Sequence, residues 1–254
     1  MRKATHKELQ TIAKLKQKKY RDEYGLFLAG GYNTVETCLN EGSAKNASLL
    51  IREDNLFMLD ELPIDETADI LILKPQDFKR ISDEKTPQGI ALLMPFSRPN
   101  IDQNFPNVDT LIYLDRVNDP GNLGTIVRSA LWFGFNTLLL SPQSIDPYNP
   151  KVVRAGVGYT TLGRIYDNVS YSCLQQLAAE NHYDICVSVL NGRPLMTFNP
   201  SKRSIIIFGS EAHGVSGELY KIADNKLTVP RQGKGESLNL GAAAAIFLYH
   251  WVNN

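Results

Sequence analysis

Five polar residues in the second half of the chain have types and positions suited to a ligand site. Asn122 and Arg128 lie in the stretch NLGTIVRSA, directly after a Pro-Gly turn. Glu211 lies in GSEAHGVS, and Ser237 and Asn239 follow a loop rich in Gly, Lys and Arg. All three stretches place a glycine-containing polar loop after an apolar run. A guanidinium can bind a phosphate with two hydrogen bonds. Glycines let a ligand approach the main chain closely.

Each of these residues also has a simpler structural explanation. Asn122 can cap the helix that follows it, and Arg128 can extend into solvent from an amphipathic helix. Glu211 can cap a helix, hold a neighbouring loop or act as a general base, the last being least favoured because nothing nearby would tune its pKa. Ser237 and Asn239 can both be helix caps. From the residues alone these alternatives stay open.

Short apolar runs precede the polar loops and predict the strands of a parallel sheet. The runs lie at 111–114, 137–140, 184–189, 204–208 and 227–229. Helical patterns lie between or after them at 122–133, 173–181 and 238–251. In open α/β sheets, ligands bind at the carboxyl ends of strands. We therefore expect the site in the loops that follow the first, third, fourth and fifth of these strands.

The first hundred residues predict a smaller α/β unit. Helical patterns at 5–18, 33–40 and 76–81 alternate with strand-like runs at 26–29, 48–51, 70–73 and 89–94. The stretch after the last run has three prolines and little apolar periodicity, which is typical of a linker. We predict a first domain at 1–95, a linker at 96–108 and a second domain at 109–254.

Composition gives few indications of a partner. The 254 residues include 27 basic and 27 acidic side chains, so the overall charge does not point to nucleic acid. The N-terminus is nevertheless crowded with basic residues, which form either a solvated helix face or a phosphate-binding surface: Arg2, Lys3, Lys7, Lys14, Lys16, Lys18, Lys19 and Arg21. The three cysteines and four histidines lack metal-ligand spacing, so we expect no metal. An odd number of cysteines without a signal-peptide pattern favours the cytoplasm, and the longest apolar run is too short to span a membrane.

In order along the chain, NLGTIVRSA, GSEAHGVS and the segment from Val229 through ESLNLGAAAAI resemble the three signature motifs of the SpoU family. This family consists of 2′-O-ribose RNA methyltransferases of the SPOUT superfamily. The resemblance covers 109–251, and SPQSIDPYNPKVVRAG between the first two motifs is also similar to the family. FLAGGYNTVE and KTPQGIALLM resemble, less specifically, a ribosomal-protein-like RNA-binding domain that often precedes it. Gly30-Gly31 departs from the usual Glu-Gly pair, and Gly156 stands where serine is more usual.

The resemblance implies a parallel α/β domain with a deep trefoil knot that binds S-adenosylmethionine. Three residues match positions whose main-chain groups hold this cofactor: Gly209, Val229 and Leu238. Three more would line the same pocket: Leu190, Asn191 and Gly192. The family works as a homodimer. Four residues of the C-terminal helix would supply apolar surface to that interface, with burial inside the subunit as the alternative: Phe247, Leu248, Tyr249 and Trp251.

By the same resemblance, Arg128 is the catalytic arginine. The other signature polar residues are Asn122, Glu211, Ser237 and Asn239. Because a guanidinium keeps its proton in proteins, we expect Arg128 to position the ribose and a phosphate, and to stabilise developing alkoxide charge, rather than to act as a base.

The leading hypothesis is therefore an enzyme that methylates ribose 2′-hydroxyls in structured RNA, with ribosomal RNA favoured over tRNA because of the extra N-terminal domain. A non-catalytic RNA-binding or ribosome-assembly protein is the second hypothesis, although the intact polar residues argue against a decayed site. A methyltransferase acting on a base nitrogen, or an unrelated nucleotide-binding α/β protein, is the third.

Overall fold

The computed structural model describes residues 1–101 and 105–254, and the chain separates into two compact units. Unit 1 contains Met1–Ser97 and Asp146–Leu162, and unit 2 contains Arg98–Ile145 and Gly163–Asn254. The sequence predicted a single division at 96–108, whereas the segment Asp146–Leu162 groups with the first unit although it follows the first motif. Residues 102–104 of the expected linker lie outside the described part of the chain.

The elements alternate along most of the chain. The strands are β1 Arg2–Lys3, β2 Leu26–Gly30, β3 Ser48–Arg52, β4 Asp69–Leu73, β5 Ile90–Pro95, β6 Thr110–Asp115, β7 Thr137–Leu140, β8 Arg164–Tyr166, β9 Asp184–Pro194, β10 Ser204–Gly209 and β11 Asn225–Thr228. The helices are α1 His6–Lys14, α2 Lys18–Tyr24, α3 Tyr32–Asn40, α4 Pro75–Ile81, α5 Pro120–Trp132, α6 Pro150–Ala155, α7 Tyr171–Asn181, α8 Gly217–Ile222 and α9 Leu240–Val252.

Unit 1 is built on a mixed sheet in the order β1-β4-β3-β5-β2, in which β5 runs antiparallel to both of its neighbours. Its N-terminal helix begins with a capping box between Thr5 and Glu8. The single helix predicted at 5–18 is wrong, because α1 ends where the Leu15 N–H bonds to the Ile12 carbonyl. Gln17 then takes an extended conformation, and α2 starts after it.

Arg21, which the sequence groups with the basic residues of the N-terminus, is buried within unit 1. Its side chain is held by the carbonyls of Leu15 at 2.7 Å and Lys16 at 3.1 Å, and its Nε donates to Asp146 Oδ2 at 2.8 Å. Arg21 and Asp146 are 1% and 7% exposed. This ion pair ties α2 to the segment Asp146–Leu162 and leaves Arg21 without a free face for a phosphate.

We expect Asp146→Ala to lower the free energy of unfolding by about 3 kcal/mol, because Arg21 would keep a buried charge without its counter-ion. Denaturant unfolding followed by circular dichroism measures this loss. Asp60→Ala removes an exposed carboxylate from the same unit and should change the free energy by less than about 0.5 kcal/mol. Equal losses in the two variants would contradict the role assigned to the ion pair.

Unit 2 is built on a six-stranded sheet in the order β11-β9-β10-β6-β7-β8, and all of its pairings are parallel. The predicted α/β class with a parallel sheet is confirmed. The central strand β10 is buried along its whole length, as expected for a strand covered on both faces. Leu114 pairs with Phe208 and Asp115 with Gly209, so β6 and β10 end side by side. The first and second motifs therefore begin at the same edge of the sheet.

The apolar helix α9 is 13 residues long. Among the described residues, no helix has both the length and the apolar character needed to cross a membrane.

Candidate functional site

Three of the predicted site residues meet at the carboxyl edge of the unit 2 sheet. Asn122 is 9% exposed and donates from its side-chain amide to Glu211 Oε1. Asn239 Nδ2 donates in turn to Asn122 Oδ1 at 2.8 Å. These residues come from the three separate motifs, at separations of 89 and 117 residues. We call this chain of hydrogen bonds the Asn–Asn–Glu network.

Asn122 does not cap the helix that contains it, so that alternative is wrong. The cap of α5 is Asp119, whose Oδ1 accepts the Asn122 main-chain N–H at 2.8 Å. Because Asp119 satisfies the helix end, the Asn122 side chain is free to join Glu211 and Asn239. Glu211 accordingly holds a neighbouring element, which was one of its three alternatives.

Asn239 has two roles at once. Its Oδ1 accepts the Ala242 N–H at 3.2 Å and caps α9, while its Nδ2 reaches Asn122 on α5. The two helices approach closely at Gly241, where a Cβ would lie 2.8 Å from Thr125 Cγ2. The small residues that open α9 therefore allow the third motif to contact the first.

Arg128 and Ser237 stand apart from the Asn–Asn–Glu network. Both are exposed. Arg128 lies on α5 beyond Asn122, on the face opposite the buried Val127 and Ala130. Within residues 1–101 and 105–254, neither side chain makes a hydrogen bond or an ion pair. An exposed guanidinium without a protein partner is available to bind an anion.

The predicted cofactor residues surround the same edge. Gly209 ends β10, and a Cβ there would overlap the main chain of Gly214 and Val215. Leu190, Asn191 and Gly192 were expected in a loop after a strand ending at 189, but β9 continues through them to Pro194. The extension is possible because β11 changes register between Lys226 and Leu227 and pairs with it.

Two of the predicted cofactor residues, Leu190 and Leu238, have exposed apolar side chains. Leu190 is 70% exposed, and its carbonyl accepts a hydrogen bond from Thr228 Oγ1 at 3.0 Å. Leu238, on the loop after β11, is 51% exposed, and Val229 is half-buried. A Cβ on Gly192 would lie 2.6 Å from the Lys226 carbonyl oxygen, so glycine is required for the strand to pass there.

One residue that sequence reasoning missed is Asp115, the last residue of β6. It is fully buried and accepts hydrogen bonds from Tyr171 Oη at 2.7 Å and the Ser216 N–H at 2.7 Å. The available signal was an acidic residue closing the apolar run LIYL, directly before the first motif. Burial and the hydrogen bond to Asp115 raise the pKa of the Tyr171 phenol.

Family comparison agrees with this geometry. Residues 109–249 match the model of the SpoU rRNA Methylase family. The chain belongs to the SpoU rRNA methylase family. Residues 6–92 match the MRM3-like substrate binding domain. The family and the enzyme class predicted from the three motifs are confirmed.

Individual SpoU relatives match nearly the whole chain. The 23S rRNA (guanosine(2553)-2′-O)-methyltransferase RlmP of Bacillus subtilis is 29% identical over 97% of this chain and 96% of its own. The mitochondrial rRNA methyltransferase 3 of Mus musculus is 27% identical over 92% of this chain and 69% of its own. An rRNA methyltransferase structure from Sinorhizobium meliloti is 25% identical, with a TM-score of 0.80 over 100% of this chain and 96% of that one.

A further SpoU structure supports the fold alone. AviRb from Streptomyces viridochromogenes, in complex with the cofactor AdoMet, is 20% identical with a TM-score of 0.83, covering 98% of both chains.

Of the two alternatives for the apolar residues of the SpoU C-terminal helix, burial inside the subunit holds for three of the four. Phe247 and Leu248 are fully buried and Trp251 is 8% exposed, so these three residues belong to the core of unit 2. Phe247 packs edge-on against Phe208, with ring centroids 5.4 Å apart. Tyr249, at 61% exposure, is the one of the four that faces solvent.

No group of three or more His, Cys, Asp or Glu side chains able to hold a metal ion occurs among the residues that the structure describes.

Proposed function

We propose that this protein transfers the methyl group of S-adenosylmethionine to a ribose 2′-hydroxyl of ribosomal RNA. The observation that carries the proposal is the Asn–Asn–Glu network, because it joins all three family motifs at the carboxyl ends of β6 and β10. The names of the Bacillus subtilis and Mus musculus relatives support both the reaction class and the ribosomal substrate.

The residues around the loop after β11 fit S-adenosylmethionine. Exposed Leu190 and Leu238 offer apolar contacts for an adenine ring. In the described part of the chain, residues 230–238 make no hydrogen bond between main-chain groups. The Gly235 carbonyl accepts from the Arg231 guanidinium, and the other main-chain groups of the loop are available to a ligand. Gly209, Val229, Asn191 and Gly192 complete this proposed pocket. When bound, the cofactor supplies a methyl group that is activated as part of a sulfonium.

Arg128 is proposed to be the catalytic residue that binds the ribose and an adjacent phosphate. Its exposed guanidinium has no competing partner among the described residues, so it can form two hydrogen bonds to the RNA. A permanently charged donor at this place also stabilises negative charge on the 2′-oxygen as its proton leaves. Ser237 is proposed to orient the hydroxyl or the guanidinium, while Asn122, Glu211 and Asn239 hold the motifs in place.

Unit 1 is proposed to select the RNA, with the domain 1–95 as its substrate-binding part. Lys16 Nζ donates to the Arg80 carbonyl at 2.8 Å, which brings exposed Lys79 and Arg80 of α4 beside the basic N-terminal helices. Lys14 Nζ lies 5.3 Å from the centroid of the Tyr20 ring. Phosphate contacts by such a surface would make RNA affinity fall with salt.

The trefoil knot belongs to the same proposal. β11 lies at one edge of the sheet next to β9, but α9 returns to pack on α5, the helix that follows β6. The chain between Thr228 and Asn239 must therefore pass the carboxyl ends of β9 and β10. This return path supports a knotted cofactor loop.

A homodimer is also proposed. Exposed apolar side chains lie along α5 and α9: Trp132 at 81%, Ile246 at 39%, Tyr249 at 61% and Val252 at 52%. The ring of Phe133, directly after α5, lies 6.1 Å from the Tyr249 ring, so the end of α5 and this part of α9 contribute to one apolar face. Exposed apolar patches of this kind mark association surfaces, and this face lies on the two helices that carry Asn122 and Asn239.

A cytoplasmic location is proposed from the cysteines. No disulfide bond joins Cys38, Cys173 or Cys186 in the part of the chain that the structure describes, which agrees with a reducing compartment. Relatives named as mitochondrial exist alongside the bacterial one. Cell fractionation of the source organism distinguishes the two compartments.

Methylation of defined RNAs tests the proposed function. The protein is incubated with S-adenosylmethionine and either unmodified large-subunit rRNA or unmodified tRNA, and the digested nucleosides are identified by mass spectrometry. We expect a 2′-O-methyl nucleoside from the rRNA only, and none when the cofactor is omitted. Methylation of tRNA alone would support the tRNA alternative, and a methylated base would refute ribose chemistry. RNA binding without transfer to either RNA would favour the non-catalytic protein.

A further inference from the structure

Asp115 is a fully buried carboxylate that the proposed reaction does not yet use. Besides Tyr171 and the Ser216 N–H, it receives Arg116 Nε at 3.2 Å and Arg116 Nη2 at 3.3 Å. The four residues before it in β6 are apolar and fully buried. A carboxylate in such a place is costly unless several donors stabilise it. Asp115 has these donors, and one of them belongs to the second motif.

The second motif forms a small closed loop above β10. Residues 210–216, here called the Glu211 loop, are joined at their base by Gly214 N–H donating to the Ser210 carbonyl at 2.8 Å. The His213 N–H lies 3.3 Å from Ser210 Oγ. Because Gly209 has no Cβ, the main chain of Gly214 folds directly over the end of β10. These contacts fix the shape of the loop.

The orientation of the Glu211 loop is set at its far end. The Ser216 N–H donates to Asp115 Oδ2, and Ser216 is 7% exposed. Asp115 Oδ1 is held by Tyr171 at the start of α7, so the carboxylate cannot rotate without breaking a second hydrogen bond. The loop is therefore held between Asp115 at Ser216 and Asn122 at Glu211.

We propose that Asp115 is a positioning residue for methyl transfer, which by accepting the Ser216 N–H fixes the Glu211 loop so that Glu211 can hold Asn122 in the site. This inference rests on the proposed function. Tyr171 orients the carboxylate, and Arg116, whose side chain is 30% exposed, balances its charge at the sheet edge. Asp115 itself contacts neither substrate nor cofactor.

The test is a double-mutant cycle in the full chain, using Asp115→Asn, Glu211→Gln and the double variant. Each single substitution should lower kcat by about 10-fold or more, the equivalent of one hydrogen bond to a charged group. If Asp115 acts through Glu211, the double variant should be no more than about 3-fold slower than the slower single variant. Multiplying effects in the double variant would overturn the proposal, since a merely structural role predicts independent losses.

Hydrogen exchange tests the positioning role of Asp115 without relying on methyl transfer. In the wild-type protein the Ser216 amide should exchange at least about 100-fold more slowly than the Ala212 amide in the same loop. Asp115→Ala, which removes both acceptor oxygens, should abolish this protection, whereas Tyr171→Phe, which leaves the carboxylate in place, should retain most of it. A rapidly exchanging Ser216 amide in the wild type refutes the positioning role even if Asp115→Ala does not fold. If the wild type transfers no methyl group, the proposed function fails, and this measurement still decides whether Asp115 fixes the loop.

Discussion

Arg128→Ala should lower kcat for methyl transfer by roughly 10³-fold while S-adenosylmethionine still binds with nearly unchanged affinity. The expected cofactor groups lie at the ends of β9, β10 and β11, whereas Arg128 lies on α5. Its exposed guanidinium makes no hydrogen bond or ion pair within residues 1–101 and 105–254, so its removal should not destabilise the fold. Single-turnover kinetics, calorimetry with the cofactor and thermal melting measure the three quantities.

Two further variants test whether the loss of rate is specific to Arg128 and to its guanidinium group. Arg164→Ala removes another exposed arginine of unit 2, but at the amino-terminal end of β8, away from the carboxyl edge, and should leave kcat within about 2-fold. Arg128→Lys keeps the positive charge but cannot form the bidentate hydrogen bonds of a guanidinium, and should recover only a small part of the methyl-transfer rate. A folded Arg128→Ala protein that no longer binds the cofactor would contradict the assignment.

Gly209→Ala should abolish cofactor binding and destabilise unit 2 by about 3 kcal/mol or more. The added methyl would overlap main-chain atoms of Gly214 and Val215, which cannot rotate away as a flexible side chain can. Either the Glu211 loop lifts from β10 or the strand end shifts, and both change the edge at which the cofactor is proposed to bind. Thermal unfolding and calorimetric titration with S-adenosylmethionine measure the two effects.

Gly217→Ala is the matched control for Gly209→Ala. Gly217 begins α8, and a Cβ there would meet no heavy atom within 4 Å. This substitution should leave cofactor binding unchanged and the stability unchanged or raised by up to about 1 kcal/mol. Normal cofactor binding by Gly209→Ala would show that the tight contact at the end of β10 is not needed for the site.

The convergence of the motifs could be predicted because it follows from parallel strands. Apolar runs at 111–114 and 204–208 predicted strands whose carboxyl ends share one edge, and Asn122 and Glu211 do meet there. The alternation of strand and helix patterns along the chain likewise predicted the α/β fold class. Periodicity could not predict which strands are neighbours in the sheet. The pairing of β6 with β10, and its register, depend on contacts between residues far apart in sequence.

The questions that the sequence left open have local physical causes. Asn122 could have been a helix cap because Asp and Asn are both good N-caps, and only the structure shows that Asp119 is the residue at which α5 begins. Phe247 and Leu248 could equally have faced a partner, because α9 is apolar on most of its surface. Asp146 gave no sign of pairing with Arg21, 125 residues away.

The Asn–Asn–Glu network also has a consequence for how the protein is made. Asn239 and α9 are synthesised after every other element of the site, and Asn122 lacks one of its two side-chain partners until they appear. A nascent chain that has extended only to β11 has the sheet of unit 2 but an unfinished polar network. Premature termination after β11 would therefore release a polypeptide that lacks the Asn239 partner of Asn122.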